Sequence, residues 1–125
     1  MAAHGTVYVI DDDGAVRHSI QVLLEVEGFR VLAFASAIEF LQHSREDGYG
    51  CIVTDIQMPG MNGLQLIKEV RRRDEVIPII AMTAAPRAAL EKALAIVERT
   101  WLLEKPFKPG ELVDLVANAL RKRLH

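Results

Sequence analysis

An α/β fold on one doubly wound, five-stranded parallel sheet is the architecture this sequence predicts, from two patterns and a length. Short apolar runs rich in β-branched residues recur at 7–10 (VYVI), 30–34 (RVLAF), 51–54 (CIVT), 77–82 (IPIIAM) and 101–103 (WLL). They are continuous rather than alternating, the pattern of strands covered on both faces. Segments with helical spacing of apolar residues stand between them. Such strict alternation implies parallel pairing through right-handed crossovers. The 125 residues are about half of what a closed eight-fold barrel needs.

The helices follow in order. Val16, Ile20, Leu23 and Leu24 share the stripe of the first, and Gly28 is its expected C-terminal cap. Ser36-Ala37-Ile38-Glu39 has the form of a capping box opening the second. Leu64, Leu66, Ile67 and Val70 mark the third. Pro86 suits the first turn of a fourth carrying Leu90, Leu94 and Val97. The last runs from about Pro109, with Leu112, Leu115, Val116 and Leu120 on one side. Five strands connected in this way most often take the flavodoxin-like order 2-1-3-4-5, with a ligand crevice where strands 1 and 3 diverge at their carboxyl ends.

Composition narrows the function classes. The length predicts one domain over residues 1–125, burying roughly two-thirds of the unfolded surface. Lys and Arg number 15 against 17 Asp and Glu, a net charge of −2, which gives no electrostatic footprint for nucleic acid or anionic lipid. The single cysteine, Cys51, excludes an intramolecular disulfide and a Cys-rich zinc site, and reads as a small core residue. No apolar run approaches the ~18 residues of a membrane span. The run Val7–Ile10 is too short for the core of a signal peptide. A soluble, cytoplasmic domain is therefore expected, with neither membrane nor nucleic acid as a direct partner.

The chemistry lies at the predicted carboxyl ends. The first strand ends in Asp11-Asp12-Asp13 and the third in Asp55. Two like charges about 4 Å apart repel by ~4 kcal/mol at an effective dielectric near 20, so such a cluster protonates or binds a cation. All-oxygen ligands favour Mg²⁺, Mn²⁺ or Ca²⁺ over zinc, and without a calcium-loop pattern an open Mg²⁺ site fits better. The fourth strand brings the hydroxyl of Thr83 to the same rim, and the fifth brings the ammonium of Lys105. Carboxylates, a divalent metal, a hydroxyl and a lysine make a phosphoryl-handling site with one carboxylate as nucleophile. Asp13 suits a helix N-cap better than a ligand. Arg71-Arg72-Arg73 and Arg121-Lys122-Arg123 complement helix C-termini, and His4, His18, His43 and His125 share no metal-ligand spacing.

These motifs resemble the receiver domains of two-component response regulators (CheY-like) over essentially the whole chain. The matching pieces are VYVIDDD at 7–13, VTDIQMPGMNG at 53–63, AMTA at 81–84 and LLEKPF at 102–107. They are most similar to receivers that precede a helix-turn-helix output domain in FixJ-type regulators. The resemblance implies Asp55 as phosphoacceptor. It implies Asp12 and Asp55 as direct Mg²⁺ ligands (Mn²⁺ being the alternative ion), Asp11 acting through a coordinated water, and the backbone carbonyl of Gln57 as the third protein ligand. Thr83 and Lys105 would each hold a phosphoryl oxygen, Lys105-Pro106 would be a cis peptide, and Met58-Pro59-Gly60 would shape the loop over the site. Gln57 and Ala85, two residues beyond Asp55 and Thr83, would flank the route of attacking water.

The implied function is that of a switch, assisting its own phosphorylation and dephosphorylation rather than turning over a substrate. A sensor histidine kinase or phosphotransfer protein would be the donor. An output domain or downstream target would read the face of the fourth helix, fifth strand and fifth helix. Homodimerisation and the presence of an output domain stay open. The alternative is a phosphorylation-independent interaction module on the same fold. A haloacid-dehalogenase-type phosphatase is disfavoured because Ala15 replaces the Thr or Val that should follow Asp11-x-Asp13. A flavodoxin is disfavoured because three aspartates would repel the cofactor's phosphate.

Two departures from the family pattern bear on switching. Glu98-Arg99 replaces the usual Gly-Ala before the fifth strand, so the preceding segment is expected to end without a left-handed cap. Leu102 occupies the usual aromatic position, and strand alternation sends Trp101 to the opposite face.

Overall fold

A computed structural model describes residues 5–43, 50–73, 76–86, 88, 90–91 and 99–123. The elements are β1 (Thr6–Ile10), α1 (Gly14–Val26), β2 (Arg30–Phe34), α2 (Ala37–Gln42), β3 (Gly50–Asp55), α3 (Gly63–Arg72), β4 (Ile79–Thr83), β5 (Thr100–Glu104) and α4 (Pro109–Arg123). Ala88, Leu90 and Glu91, after Pro86, are helical. Leu94 and Val97, expected on the same helix, lie outside the described residues.

All five strands pair in parallel in the order β2-β1-β3-β4-β5, as the sequence predicts. Period-two alternation sends Val7, Val9, Cys51, Val53, Ile80, Met82 and Leu103 to one face, where they meet Ile20 and Leu24 of α1 and Leu112 and Val116 of α4. Tyr8, Ile10, Ile52, Ile79, Ala81 and Leu102 face the other way, onto Phe40 of α2 and Leu66, Ile67 and Val70 of α3. Both faces are thus covered, which is why the strand sequences read as unbroken apolar runs. Each fully buried aliphatic side chain contributes about 1.5–3 kcal/mol.

Caps set the helix limits. Asp13 caps α1, its side chain accepting from the amides of Ala15 and Val16. At the other end Gly28 (φ 97°) closes a Schellman motif, Gly28 N donating to Glu25 O and Phe29 N to Leu24 O. Asn62 and Gln65 form a complete capping box on α3, a feature the sequence reading had not singled out. The box expected on α2 is only half made. Ser36 Oγ accepts from Glu39 N at 3.1 Å, but Glu39 Oε1 accepts from Ala35 N rather than Ser36 N. β4 begins at Ile79, two residues later than the apolar run suggests, because Pro78 has no N–H for a ladder. Pro78 still accepts from Ile52 N through its carbonyl.

The expectation for the residues before β5 is corrected. Arg99 itself adopts the left-handed conformation, with φ 56°. The reversal needed to start β5 is kept without a glycine, and its strain is held by neighbours. Arg99 O accepts from Ile79 N at 2.9 Å and from Arg71 Nη2 at 3.2 Å. Arg71, near the end of α3, also donates to Ile77 O and to Thr100 Oγ1. One guanidinium thus ties the last turn of α3 to the starts of β4 and β5. Its neighbours Arg72 and Arg73 both pair with Glu69, whose carboxyl they hold well below the usual carboxylate range, at about 2.

Candidate functional site

β1 and β3 are adjacent at the centre of the sheet, but their chains leave toward opposite layers, β1 into α1 and β3 into α3. The crevice between these departures is where the acids gather. Asp11 is the first residue past β1, only 1% exposed, and its own amide donates to Phe34 O at 3.2 Å. Asp11 Oδ1 accepts from Asp13 N at 2.9 Å, while Oδ2 is buried with no hydrogen-bond partner. Asp55, the last residue of β3, is 7% exposed. Its Oδ1 lies 3.3 Å from Lys105 Nζ, an ion pair without hydrogen-bond alignment, and is otherwise unpartnered. Asp12 is exposed, and one carboxylate oxygen from each of Asp11, Asp12 and Asp55 lies within 4.8 Å of the others.

Burial is the main cause that raises the Asp11 carboxyl above its ordinary value. The hydrogen bond from Asp13 N opposes it; the charge of Asp55 adds to it, Lys105 opposes, and Asp12 adds again. Two orphaned buried carboxylate oxygens beside a third acid are costly unless a cation completes them. The donor set is hard oxygen throughout, which fits a Mg²⁺-type ion.

Backbone contacts hold this geometry. Gly63 opens α3 directly against the end of β3. A Cβ there would lie 2.5 Å from Asp55 O and 2.7 Å from Ile56 Cα, so only glycine allows the approach. Lys105 N donates to Thr83 O at 2.7 Å, joining the ends of β5 and β4, and Lys105-Pro106 is cis as the resemblance implied. Thr83 is fully buried (0% exposed). Its Oγ1 accepts from Ala85 N at 3.0 Å and from Gln57 Nε2 at 3.3 Å.

Asp11, Asp12, Asp55, Thr83 and Lys105 therefore lie together at the carboxyl end of the sheet, and Asp13 caps α1 beside them as expected. Two contributions were missed. Arg17 Nη1 reaches back from α1 to donate to Asp11 O at 2.8 Å; its position four residues after the N-cap was the available signal. The side chain of Gln57 spans from the β3 end to Thr83, a contact that neither its expected carbonyl role nor its place beside the water route specifies. An apolar cavity of about 570 Å³ opens beside the same loop, between Ile56, Met58, Pro59, Leu64 and Leu90, and none of the three acids lines it. Trp101 packs on the α1–α4 layer and Leu102 on the α2–α3 layer, the opposite facing that alternation predicts.

Fold and site together define a class: a doubly wound α/β domain with an acid cluster, a lysine and a buried hydroxyl where the strand order reverses. The chain belongs to the response regulator receiver domain family, whose profile matches residues 7–117. Over 125 residues it is 37% identical to the transcriptional regulatory protein FixJ of Bradyrhizobium diazoefficiens, covering 98% of this chain and 60% of that protein. It is 40% identical over 114 residues to FixJ of Azorhizobium caulinodans, covering 91% and 54%. Among solved structures it matches full-length FixJ from B. japonicum with a TM-score of 0.83 and 34% identity, over 97% of this chain and 60% of that one. The chain thus spans a little more than half the length of these FixJ proteins. Receiver domains are signalling switches of two-component systems. No helix among the described residues is long and apolar enough to cross a membrane.

Proposed function

We propose that residues 1–125 act as one receiver domain that accepts a phosphoryl group on Asp55, in the cytoplasm, from a phosphohistidine of a sensor histidine kinase or phosphotransfer protein. The observation that carries this reading is the juxtaposition of Asp55 with Lys105 Nζ at 3.3 Å and with the carboxylates of Asp11 and Asp12. A carboxylate oxygen of Asp55 attacks phosphorus, forming the P–O bond of an acyl phosphate as the P–N bond breaks. The P–N electron pair returns to the imidazole of the donor. Lys105 pairs with one phosphoryl oxygen and Thr83 donates to another, holding the charge that develops. Asp11, Asp12, Asp55 and the Gln57 carbonyl are the residues that would hold Mg²⁺, which supplies charge neutralisation at carboxylates and phosphoryl oxygens. Water later attacks phosphorus, the bond from Asp55 Oδ to phosphorus breaks, and inorganic phosphate leaves as the Asp55 carboxylate is restored.

The new charge on Asp55 biases an equilibrium between two conformations. An output domain or downstream target reads the face that the resemblance assigns to the fourth helix of the family fold, β5 and α4. The test is exposure to Mg²⁺ and acetyl phosphate followed by intact mass measurement. A phosphate-sized gain is expected in the wild type and no gain in Asp55→Asn. A gain retained by Asp55→Asn would remove the assignment.

A further inference from the structure

We propose that the Gln57 side chain is a positioning residue for Thr83, committing the Thr83 hydroxyl to donate its proton to the group carried on Asp55. The inference rests on the phosphoacceptor reading above and adds to it a residue considered there only through its backbone.

A threonine hydroxyl has two lone pairs and a single proton. At Thr83 both lone pairs are engaged, one by Ala85 N at 3.0 Å and the other by Gln57 Nε2 at 3.3 Å. The Thr83 backbone carbonyl already accepts from Lys105 N. What the side chain still offers is its O–H, and with two donors directed at the oxygen it can act only as a donor. The strand register places it at the same carboxyl-terminal rim as Asp55. Asp55 pairs with Met82, so Thr83 is one step beyond the Asp55 row on the neighbouring strand. Thr83 is fully buried, so no bulk water competes to reorient the hydroxyl. Ala85 supplies its hydrogen bond from the backbone and would do so with any residue except proline. Gln57 supplies the second from a side chain, across 26 residues of sequence. Without that amide, one lone pair is free and the hydroxyl regains a second orientation. Part of the binding energy for an anionic group is then spent on turning it back.

The test is a double-mutant cycle on beryllofluoride affinity in Mg²⁺, followed by amide chemical shifts of the whole chain. Gln57→Met keeps the length of the side chain and removes its donor. It should weaken beryllofluoride binding by about threefold to tenfold, the size of one neutral hydrogen bond. Thr83→Ala should weaken binding by itself, and adding Gln57→Met to it should cost less than about twofold more. Equal losses from Gln57→Met with and without Thr83, or no loss in the wild-type background, would overturn the positioning role. Failure of the wild type to bind beryllofluoride would instead remove the phosphoacceptor reading, and this inference with it.

Discussion

The two ends of the sheet treat charge in opposite ways. At the amino-terminal ends of β4 and β5, Arg71 donates through its terminal nitrogens to the carbonyls of Ile77 and Arg99 and the hydroxyl of Thr100, while Arg72 and Arg73 share Glu69. At the carboxyl-terminal ends, Asp11 and Asp55 each bury an oxygen that accepts no hydrogen bond, with Asp12 beside them and Lys105 as the described ion-pair partner of Asp55. α3 links the two ends, starting against Asp55 and finishing at the Arg71 clamp. One end spends its charges on holding strands in place. The other keeps charge in deficit of a partner, which costs stability and leaves a place for a cation and a phosphoryl group.

Removing the charge of Arg71 and that of Asp11 should therefore have opposite effects on stability. The largest effect is expected from Arg71→Met, which keeps the apolar stem but takes donors away from Ile77 O, Arg99 O and Thr100 Oγ1. Urea unfolding should show a loss of about 2–4 kcal/mol, since hydrogen bonds from a charged donor are worth more than neutral ones. A loss below 0.5 kcal/mol, which is about the scatter of surface substitutions, would break the comparison.

At the other end, Asp11→Asn should stabilise the metal-free protein by about 1–2 kcal/mol near neutral pH, because it removes a buried charge from beside Asp55. The pH dependence has a definite sign. The Asp11 carboxyl is raised in the folded state from an ordinary value of 3.8. Its ionisation therefore destabilises the wild type as pH rises through the raised value, and the penalty is absent below the ordinary one. The advantage of Asp11→Asn should be full above the raised value and fade as pH falls toward 3.8. Added Mg²⁺ should reverse the ranking, stabilising the wild type more than the variant in the same unfolding assay.

The smallest effect sharpens the account of the clamp. Arg99→Gly relieves a left-handed backbone and removes a buried Nε that has no hydrogen-bond partner. Greater freedom of the unfolded chain offsets part of that gain. A net rise of about 0.5 kcal/mol is expected by urea unfolding, and a fall would mean that the side chain contributes more than its backbone costs.

The sheet was legible because both of its faces are buried, so strands appear as unbroken apolar runs, and the order of elements then sets where Asp11, Asp55, Thr83 and Lys105 come together. Other features depend on geometry that spacing does not encode. Arg71 was read correctly as a helix-end cation, but its reach to β4 and β5 depends on a long side chain crossing between elements. The half-made box at Ser36 differs from the complete one at Asn62 only in which upstream amide meets the N3 side chain. The left-handed turn at Arg99 was missed because glycine is its usual marker, and the surrounding hydrogen bonds hold the conformation without one. Gln57 was visible as a position beside the acid, but nothing in its spacing indicated that its amide would cross to Thr83.

The facing of Trp101 has a practical side. It is the one tryptophan in the chain, and it packs against the apolar cluster of the α1–α4 layer, while its neighbour Leu102 points into the other layer. Its emission is therefore a one-sided optical gauge. Repacking of α4 against β5 alters the surroundings of the indole directly, whereas a rearrangement confined to the α2–α3 side reaches it only through the strand backbone. In this receiver, natural fluorescence registers the α1–α4 layer separately from the layer into which Leu102 points.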